Sequence, residues 1–255
     1  MVTLQVQTVT FSNIAAVIFD KDGTLEDSTD FLRNLAQKRS RLIDAQIPGI
    51  GEPLLMAFGV QGDSLDPTGL MAVGSRRENE IAAAAYIAET GRGWLESLNI
   101  ARRAFEDADY YLKSTPPSPL FVGGLDIIKS LSDAGVKVGI LSAAPTAQVQ
   151  RFVTHHQLEP YIQLQMGVDD GPTKPDPRLF FNACQALGVH PSVTLMVGDA
   201  QGDIDMALAA QSGGCVGVCW KPSNSQHLKG ADVVIAQLDE IKILASSVRS
   251  PTSDP

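Results

Sequence analysis

Cysteine is almost missing from this chain. Only Cys184, Cys215 and Cys219 occur among 255 residues, an odd number that gives no disulfide framework. Cys215 and Cys219 flank Val-Gly-Val in an apolar run and read as two buried thiols on a strand, not as a metal pair. Positive charge is also scarce: 20 Lys and Arg face 29 Asp and Glu, a formal net charge of −9. Binding a nucleic-acid backbone by counterion release needs clustered cations, so nucleic acid is not an expected partner. A small anion held by a few local cations remains compatible with this composition. No apolar run approaches the roughly 18 residues of a membrane span. The opening MVTLQVQTVTFSNIAAVIF has neither the basic start nor the unbroken apolar stretch of a secretory leader. The expectation is therefore a cytoplasmic protein without a membrane partner. With 44% hydrophobic residues, the chain can bury one large core, or a core and a smaller insert.

Three apolar runs share one design. IAAVIF leads into Asp20, VKVGIL into Ser142 and VTLMVG into Asp199, so each delivers a polar residue at its carboxyl end. Short, partly β-branched runs separated by helical patterns predict a parallel sheet covered on both faces. In such a sheet the ligand site lies outside the carboxyl ends of the strands. The helical patterns are explicit. GGLDIIKSLSDAG closes on Gly135, KPDPRLFFNACQALG offers Asp176 as N-cap with Pro177 behind it, and GDIDMALAAQSGG ends in glycines. CVGVCW and ADVVIA read as two further strands, which completes an α/β alternation. The first dozen residues alternate loosely and predict an edge strand or hairpin.

Residues 28–118 break that rhythm with three helical patterns: DFLRNLAQKRSRLIDA, RRENEIAAAAYIAE and WLESLNIARRAFEDADYYLK. PGIGEP and QGDSLDPTG between them read as turn-rich breaks. The expected organisation is a core of residues 1–27 and 119–248, a helical insert over 28–118 and a frayed tail at 249–255.

The chemistry-bearing residues follow from the strand ends. An aspartate can attack phosphorus and split one hard hydrolysis into two displacements, and Asp20 stands where such a nucleophile belongs. Asp22, two residues on, suits a general acid that protonates the leaving oxygen and then a base that deprotonates water. Gly23 lets the chain turn sharply, so that backbone N–H groups can face a phosphate. Ser142 can donate to a phosphate oxygen, and Lys174 can place a cation against the same group. A carboxylate approaching a phosphate dianion is repelled, which calls for a divalent cation. Mg²⁺ suits an all-oxygen site built on Asp20 and Asp199.

DKDGTLEDS, Ser142 after a strand, Lys174 in KPDP and GDAQGD occur in that order, and with them residues 14–240 resemble the haloacid dehalogenase superfamily of phosphohydrolases. The resemblance implies a Rossmann-like α/β core with an inserted α-helical cap, and a Mg²⁺-dependent phosphatase acting through phospho-Asp20. It adds the backbone carbonyl of Asp22 to the metal set. It gives Asp203 a place there too, directly or through water, or else as the holder of Lys174, and it puts Gly23, Thr24, Ser142, Ala143 and Lys174 around the substrate. Many relatives carry Asn where this chain has Ala143, so one polar contact is missing. A cation-pumping ATPase would have Thr in place of Asp22; the acid predicts a phospho-aspartate that is hydrolysed, not stored.

The insert resembles the helical cap of phosphoglycolate phosphatases and β-phosphoglucomutases, which places specificity residues beyond the phosphate. Arg76 or Arg77 is expected to meet an anionic or hydroxylated substrate tail, set against the plainer reading of RRENE as a solvated helix face. The expected substrate is a small phosphorylated metabolite, phosphoglycolate first and sugar phosphates next. A phosphomutase and a silent phosphate-binding regulator are the alternatives. His155 and His156 lack acidic or Cys partners at ligand spacing and read as structural or exposed. Trp220 ends a strand, either lining the crevice or merely packing.

Overall fold

The computed structural model describes residues 1–112, 115–220 and 222–244, and the tail expected at 249–255 lies outside these. An antiparallel hairpin, β1 (Val2–Val6) and β2 (Val9–Ile14), runs directly into β3 (Ala16–Phe19). A helical insert follows: α1 (Thr29–Asp44), α2 (Gly51–Ala57), a short hairpin of β4 (Val60–Gln61) and β5 (Ser64–Leu65), α3 (Leu70–Val73), α4 (Arg76–Glu89) and α5 (Trp94–Leu112). The chain then alternates through α6 (Gly124–Asp133), β6 (Lys137–Leu141), α7 (Thr146–His155), β7 (Leu164–Met166), α8 (Pro177–Leu187), β8 (Thr194–Gly198), α9 (Gln201–Ala209) and β9 (Gly214–Val218). It closes on β10 (Val233–Ile235) and β11 (Ile241–Leu244).

Six of these strands form one parallel sheet in the order β10-β9-β8-β3-β6-β7. Every residue of β3 and β8 is buried. Strands covered on both faces read as unbroken apolar runs because neither pleat surface meets water. One face carries Val17, Phe19, Ile140 and Val197 in a cluster with α6 and α7; the other carries Ile18 and Met196 against Phe180, Ile204 and Met206. The sheet thus has the helix-covered, Rossmann-like α/β architecture. Sequence order runs outward from β3 in both directions, through β6 and β7 on one side and β8 to β10 on the other. A crevice opens at the carboxyl ends where the order divides. β11 joins the first hairpin in a separate antiparallel sheet, order β11-β1-β2.

The helix signals act as their chemistry requires. The Asp176 side chain accepts from the N–H of Arg178 at 2.9 Å, Pro177 fills the first helical position and Gly188 closes α8 in the left-handed region at φ 63°. Ser75 and Glu78 form a reciprocal capping box at the start of α4. One expectation is corrected and one is extended. The stretch around PGIGEP contains α2, whose Pro53 sits in the first turn where its missing N–H costs nothing. QGDSLDPTG is turn-rich as expected, and adds to that the two-residue β5 and the turn of a hairpin, with Gly62 at φ 57°. The insert has its own apolar centre, in which Phe58 and Phe105 meet edge-on at 6.3 Å with Ile43, Leu54 and Ile87 around them. No helix among the described residues is long and apolar enough to cross a membrane.

Candidate active site

Because β8, β3 and β6 are neighbours in register, their carboxyl ends bring Asp199, Asp20 and Ser142 to one rim. The ladder extends one residue beyond β3, where the Asp20 N–H donates to the Val197 carbonyl at 2.8 Å. Asp20 is 6% exposed and Ser142 1%. Asp203 joins them from the first turn of α9, fully buried. One oxygen from each of Asp20, Asp199 and Asp203 lies within 4.8 Å of the others. Lys174 crosses from the loop before α8 and places Nζ 2.6 Å from Asp20 and 2.6 Å from Asp203.

Burial and crowding set the electrostatics. Loss of water raises the Asp20 carboxyl to about 6; Lys174 works against that rise, and Asp203 and Asp22 add to it. Asp199 is held well above the usual carboxylate range, first by burial and then by Asp20 and Asp203. Burial opposes the charge on Lys174, yet Asp20 and Asp203 outweigh it and hold the ammonium above its ordinary value. Two buried carboxylates, Asp20 and Asp203, thus share a single lysine, with the half-buried Asp199 beside them. An oxygen-ligated divalent cation fits this donor set, since it supplies the positive charge that the protein withholds. Asp20, Asp199 and Asp203 are the side chains able to hold it.

The tight turn after β3 packs against the same centre. Gly23 has φ 78°, and a Cβ there would lie 2.1 Å from Asp199 Oδ2. Gly198 is equally constrained, because a Cβ would meet the Asp203 carboxylate at 2.4 Å. Thr24 is fully buried and its hydroxyl donates to Asp199 Oδ1 at 3.0 Å, so it touches a carboxylate of the cluster. Asp22 Oδ2 accepts from Ser142 Oγ at 3.3 Å, and Asp22 Oδ1 accepts from Lys21 Nζ at 2.6 Å. Lys21 also donates to Glu26 Oε2, while Glu26 Oε1 accepts from the Ser118 N–H at 2.7 Å. Burial raises the Glu26 carboxyl, against the pull of Lys21. Trp220 stacks on Phe121 at 3.9 Å between ring centres and donates through Nε1 to the Gly23 carbonyl at 2.8 Å, bracing the turn.

The insert supplies the opposite wall. Asp22, Ala143 and Ala144 of the core face Arg39, Arg76 and Asn79 across a small cavity. Arg76 pairs with Glu80 at 2.8 Å and also with Asp109. Arg77 is exposed and lines a neighbouring cleft with Asp169 and Asp170. Lys21, Glu26, Arg39 and Asn79 are absent from the sequence reading of the site. Arg39 carried a usable signal: it stands four residues after buried Leu35 and four before buried Ile43, on the apolar stripe of α1. Asn79 and Glu26 carried none. The remaining polar candidates lie elsewhere. His156 ends α7 with Nε2 3.0 Å from the Ser118 carbonyl, and all three cysteines are buried, with the thiols of Cys184 and Cys215 pushed up to about 11 by burial.

Residues 14–211 match the family model of haloacid dehalogenase-like hydrolases. The phosphoglycolate phosphatase of Yersinia pestis is 30% identical over 210 residues, which are 81% of each chain. Among solved structures, a predicted phosphoglycolate phosphatase from Haemophilus somnus aligns with TM-score 0.63 at 22% identity, covering 81% of this chain and 86% of that one. A β-phosphoglucomutase from Clostridium difficile aligns with TM-score 0.65 at 20% identity, covering 90% and 93%. At these identities the two structures speak for the fold.

Proposed function

Because the chain belongs to the haloacid dehalogenase-like hydrolases and is a phosphatase, we propose that it hydrolyses a small phosphomonoester through an aspartyl phosphate on Asp20, with phosphoglycolate as the first candidate substrate. The observation that supports this most directly is the placement of Asp20: a strand-end carboxylate 2.6 Å from a buried lysine, beside two further carboxylates, with Asp22 two residues away and bonded to Ser142. On this reading residues 28–118 are the cap over a core of 1–27 and 119–248, and they meet the substrate beyond its phosphate.

An Asp20 oxygen attacks phosphorus while the ester P–O bond breaks, and the electron pair leaves on the alkoxide oxygen. Asp22 gives that oxygen its proton, so that an alcohol departs. In the second step Asp22 takes a proton from water, the water oxygen attacks phosphorus, and the bond to Asp20 breaks to release phosphate. Lys174 and Ser142 hold the phosphoryl oxygens in place through both steps, offsetting charge with donors already oriented before the reaction. Asp203, 2.6 Å from Nζ, keeps the lysine aimed and charged. A divalent cation, Mg²⁺ by its chemistry, would be held by Asp20 and Asp199 with the Asp22 carbonyl and, directly or through water, Asp203. There it would neutralise charge as carboxylate and phosphate approach. Ground-state repulsion between two anions is thereby reduced without a change in the protein's own residues.

The test is an acid quench during turnover of ³²P-labelled phosphoglycolate with Mg²⁺ present. The expected result is label on the chain, alkali-labile and absent from Asp20→Asn, together with net release of inorganic phosphate. Full turnover by Asp20→Asn rules out the mechanism. Isomerised sugar phosphate that depends on a bisphosphate, in place of phosphate release, rules in a mutase.

A further inference from the structure

Arg39 is a buried cation without an adequate counterion. It is 3% exposed, and its guanidinium lies over the Phe105 ring at 4.0 Å. Nη2 reaches one oxygen of Asp109 at 3.5 Å, the outer limit of a hydrogen bond, and Arg76 engages the other oxygen of the same carboxylate. Nη1 faces only the Met71 sulfur at 3.7 Å, a weak acceptor, and Nε is buried with no acceptor. Burial and the neighbouring Arg76 push the guanidinium down to about 9. Asn79 lines the same cavity, is 2% exposed, and keeps Oδ1 without a donor while its amide nitrogen serves the carbonyls of Leu70, Gly74 and Ser75. Unmet buried donors are costly, and those of Arg39 beside this cavity mark a place shaped for an acceptor-bearing guest, not a packing void; Asn79 Oδ1, itself an acceptor, takes no part in holding an anion.

The position of the cavity says which guest. Its floor is Asp22, the proposed acid for the leaving oxygen, and its core-side wall is Ala143, Ala144, Pro145 and Gln148, of which only Gln148 offers a polar side chain. The cavity offers the group esterified to the phosphate a path that begins at Asp22. The volume, about 60 Å³, admits a compact group of a few atoms. A planar guanidinium with free donors matches a carboxylate by two parallel N–H···O bonds, a geometry that a neutral hydroxyl cannot reproduce.

We infer that this cavity receives the non-reacting end of the substrate, and that this end is a carboxylate held by Arg39 with Arg76 beside it. The inference rests on the proposed phosphomonoesterase reading and adds a specificity residue and a substrate class to it. Of the two arginines expected at the tail it keeps Arg76, sets aside the exposed Arg77 and adds Arg39 of α1.

Two substrates isolate the tail: phosphoglycolate, and 2-hydroxyethyl phosphate, in which a hydroxymethyl group replaces the carboxylate. The wild-type protein with Mg²⁺ should favour phosphoglycolate in kcat/KM by about tenfold or more, and Arg39→Met should shrink that ratio by about tenfold to a hundredfold. Arg39→Lys, which keeps charge but loses the fork, should fall between them and serves as the deciding variant if Arg39→Met does not fold by circular dichroism. Equal wild-type treatment of the two substrates overturns the inference, as does an equal fall for both in the variants. Phosphate release without discrimination defeats the carboxylate assignment alone. No release from either substrate or from p-nitrophenyl phosphate defeats the phosphatase reading beneath it.

Discussion

At the scale of single residues, the site is a cluster of carboxylates held in a state that folding alone disfavours. A carboxyl whose folded pKa exceeds its unfolded value binds its proton more tightly in the native state. Its favourable contribution is therefore greatest below the unfolded value and is lost as pH rises through the folded one. For Asp20 that window runs from 3.8 to about 6, and Asp199 shifts in the same direction. Protein freed of metal with a chelator should accordingly lose stability between about pH 4 and pH 6 on account of this cluster. Added Mg²⁺ should raise the melting temperature more at pH 7 than at pH 4.5. Scanning calorimetry at the two pH values checks both, and a metal effect larger at pH 4.5 contradicts the argument. Asp199→Asn keeps the shape and the bond from Thr24 while deleting one charge. It should stabilise the metal-free protein at pH 7 and abolish the gain from Mg²⁺. Asp22→Asn is expected to slow alkyl phosphates by about a hundredfold or more, and p-nitrophenyl phosphate less in the phosphoryl-transfer step, because a good leaving group needs no proton. Burst kinetics separate the two steps. At this scale Asp20, Asp22, Ser142, Lys174 and Asp199 were legible from the one-dimensional order of strand ends and motifs. Arg39 was not singled out because its neighbours Lys38 and Arg41 make it look like part of a solvated basic face.

At the scale of elements, the turn after β3 is tied to both connections of the insert. Glu26 links Lys21, and through it Asp22, to the returning chain at Ser118, while the Asp27 N–H donates to the Pro119 carbonyl at 2.9 Å. All of Lys21 and Glu26 is buried, so the pair is sensitive to loss of one partner. Glu26→Ala should cost about 2–4 kcal/mol in urea denaturation, since it strands a buried ammonium with Asp22 alone. A cost within about 0.5 kcal/mol, the range of an ordinary surface change, would show that the pair is not structural. The strands β3, β6 and β8 and the helix α8 announce themselves by unbroken apolar runs and by caps. α2 and the β4–β5 hairpin do not, because Gly and Pro that begin a helix or turn a hairpin look the same in sequence as those that fill a loop. Three-residue β7 is too short for its period to register.

At the scale of the whole molecule, the described residues bury their apolar side chains in three clusters, two on the faces of the sheet and one inside the insert. Phe105→Ala removes the edge-on partner of Phe58 and the ring beneath Arg39, and should cost about 3–5 kcal/mol of packing in the insert. Hydrogen exchange is expected to show lost protection in α4 and α5 with the amides of β3 and β8 still protected; uniform loss would mean that the clusters unfold as one. The amino-acid order by itself determined the α/β sheet, the strand-end acids and the family, because periodicity, caps and short motifs are local and survive projection onto a line. Only the tertiary structure decided that Asp20 and Asp203 share one lysine beside Asp199, that Trp220 braces the Gly23 turn, and that Arg39 is a buried cation lining the same cavity as Asp22. Each of these depends on the burial and mutual distance of residues far apart in the chain, and the electrostatics of a site follow from those two quantities.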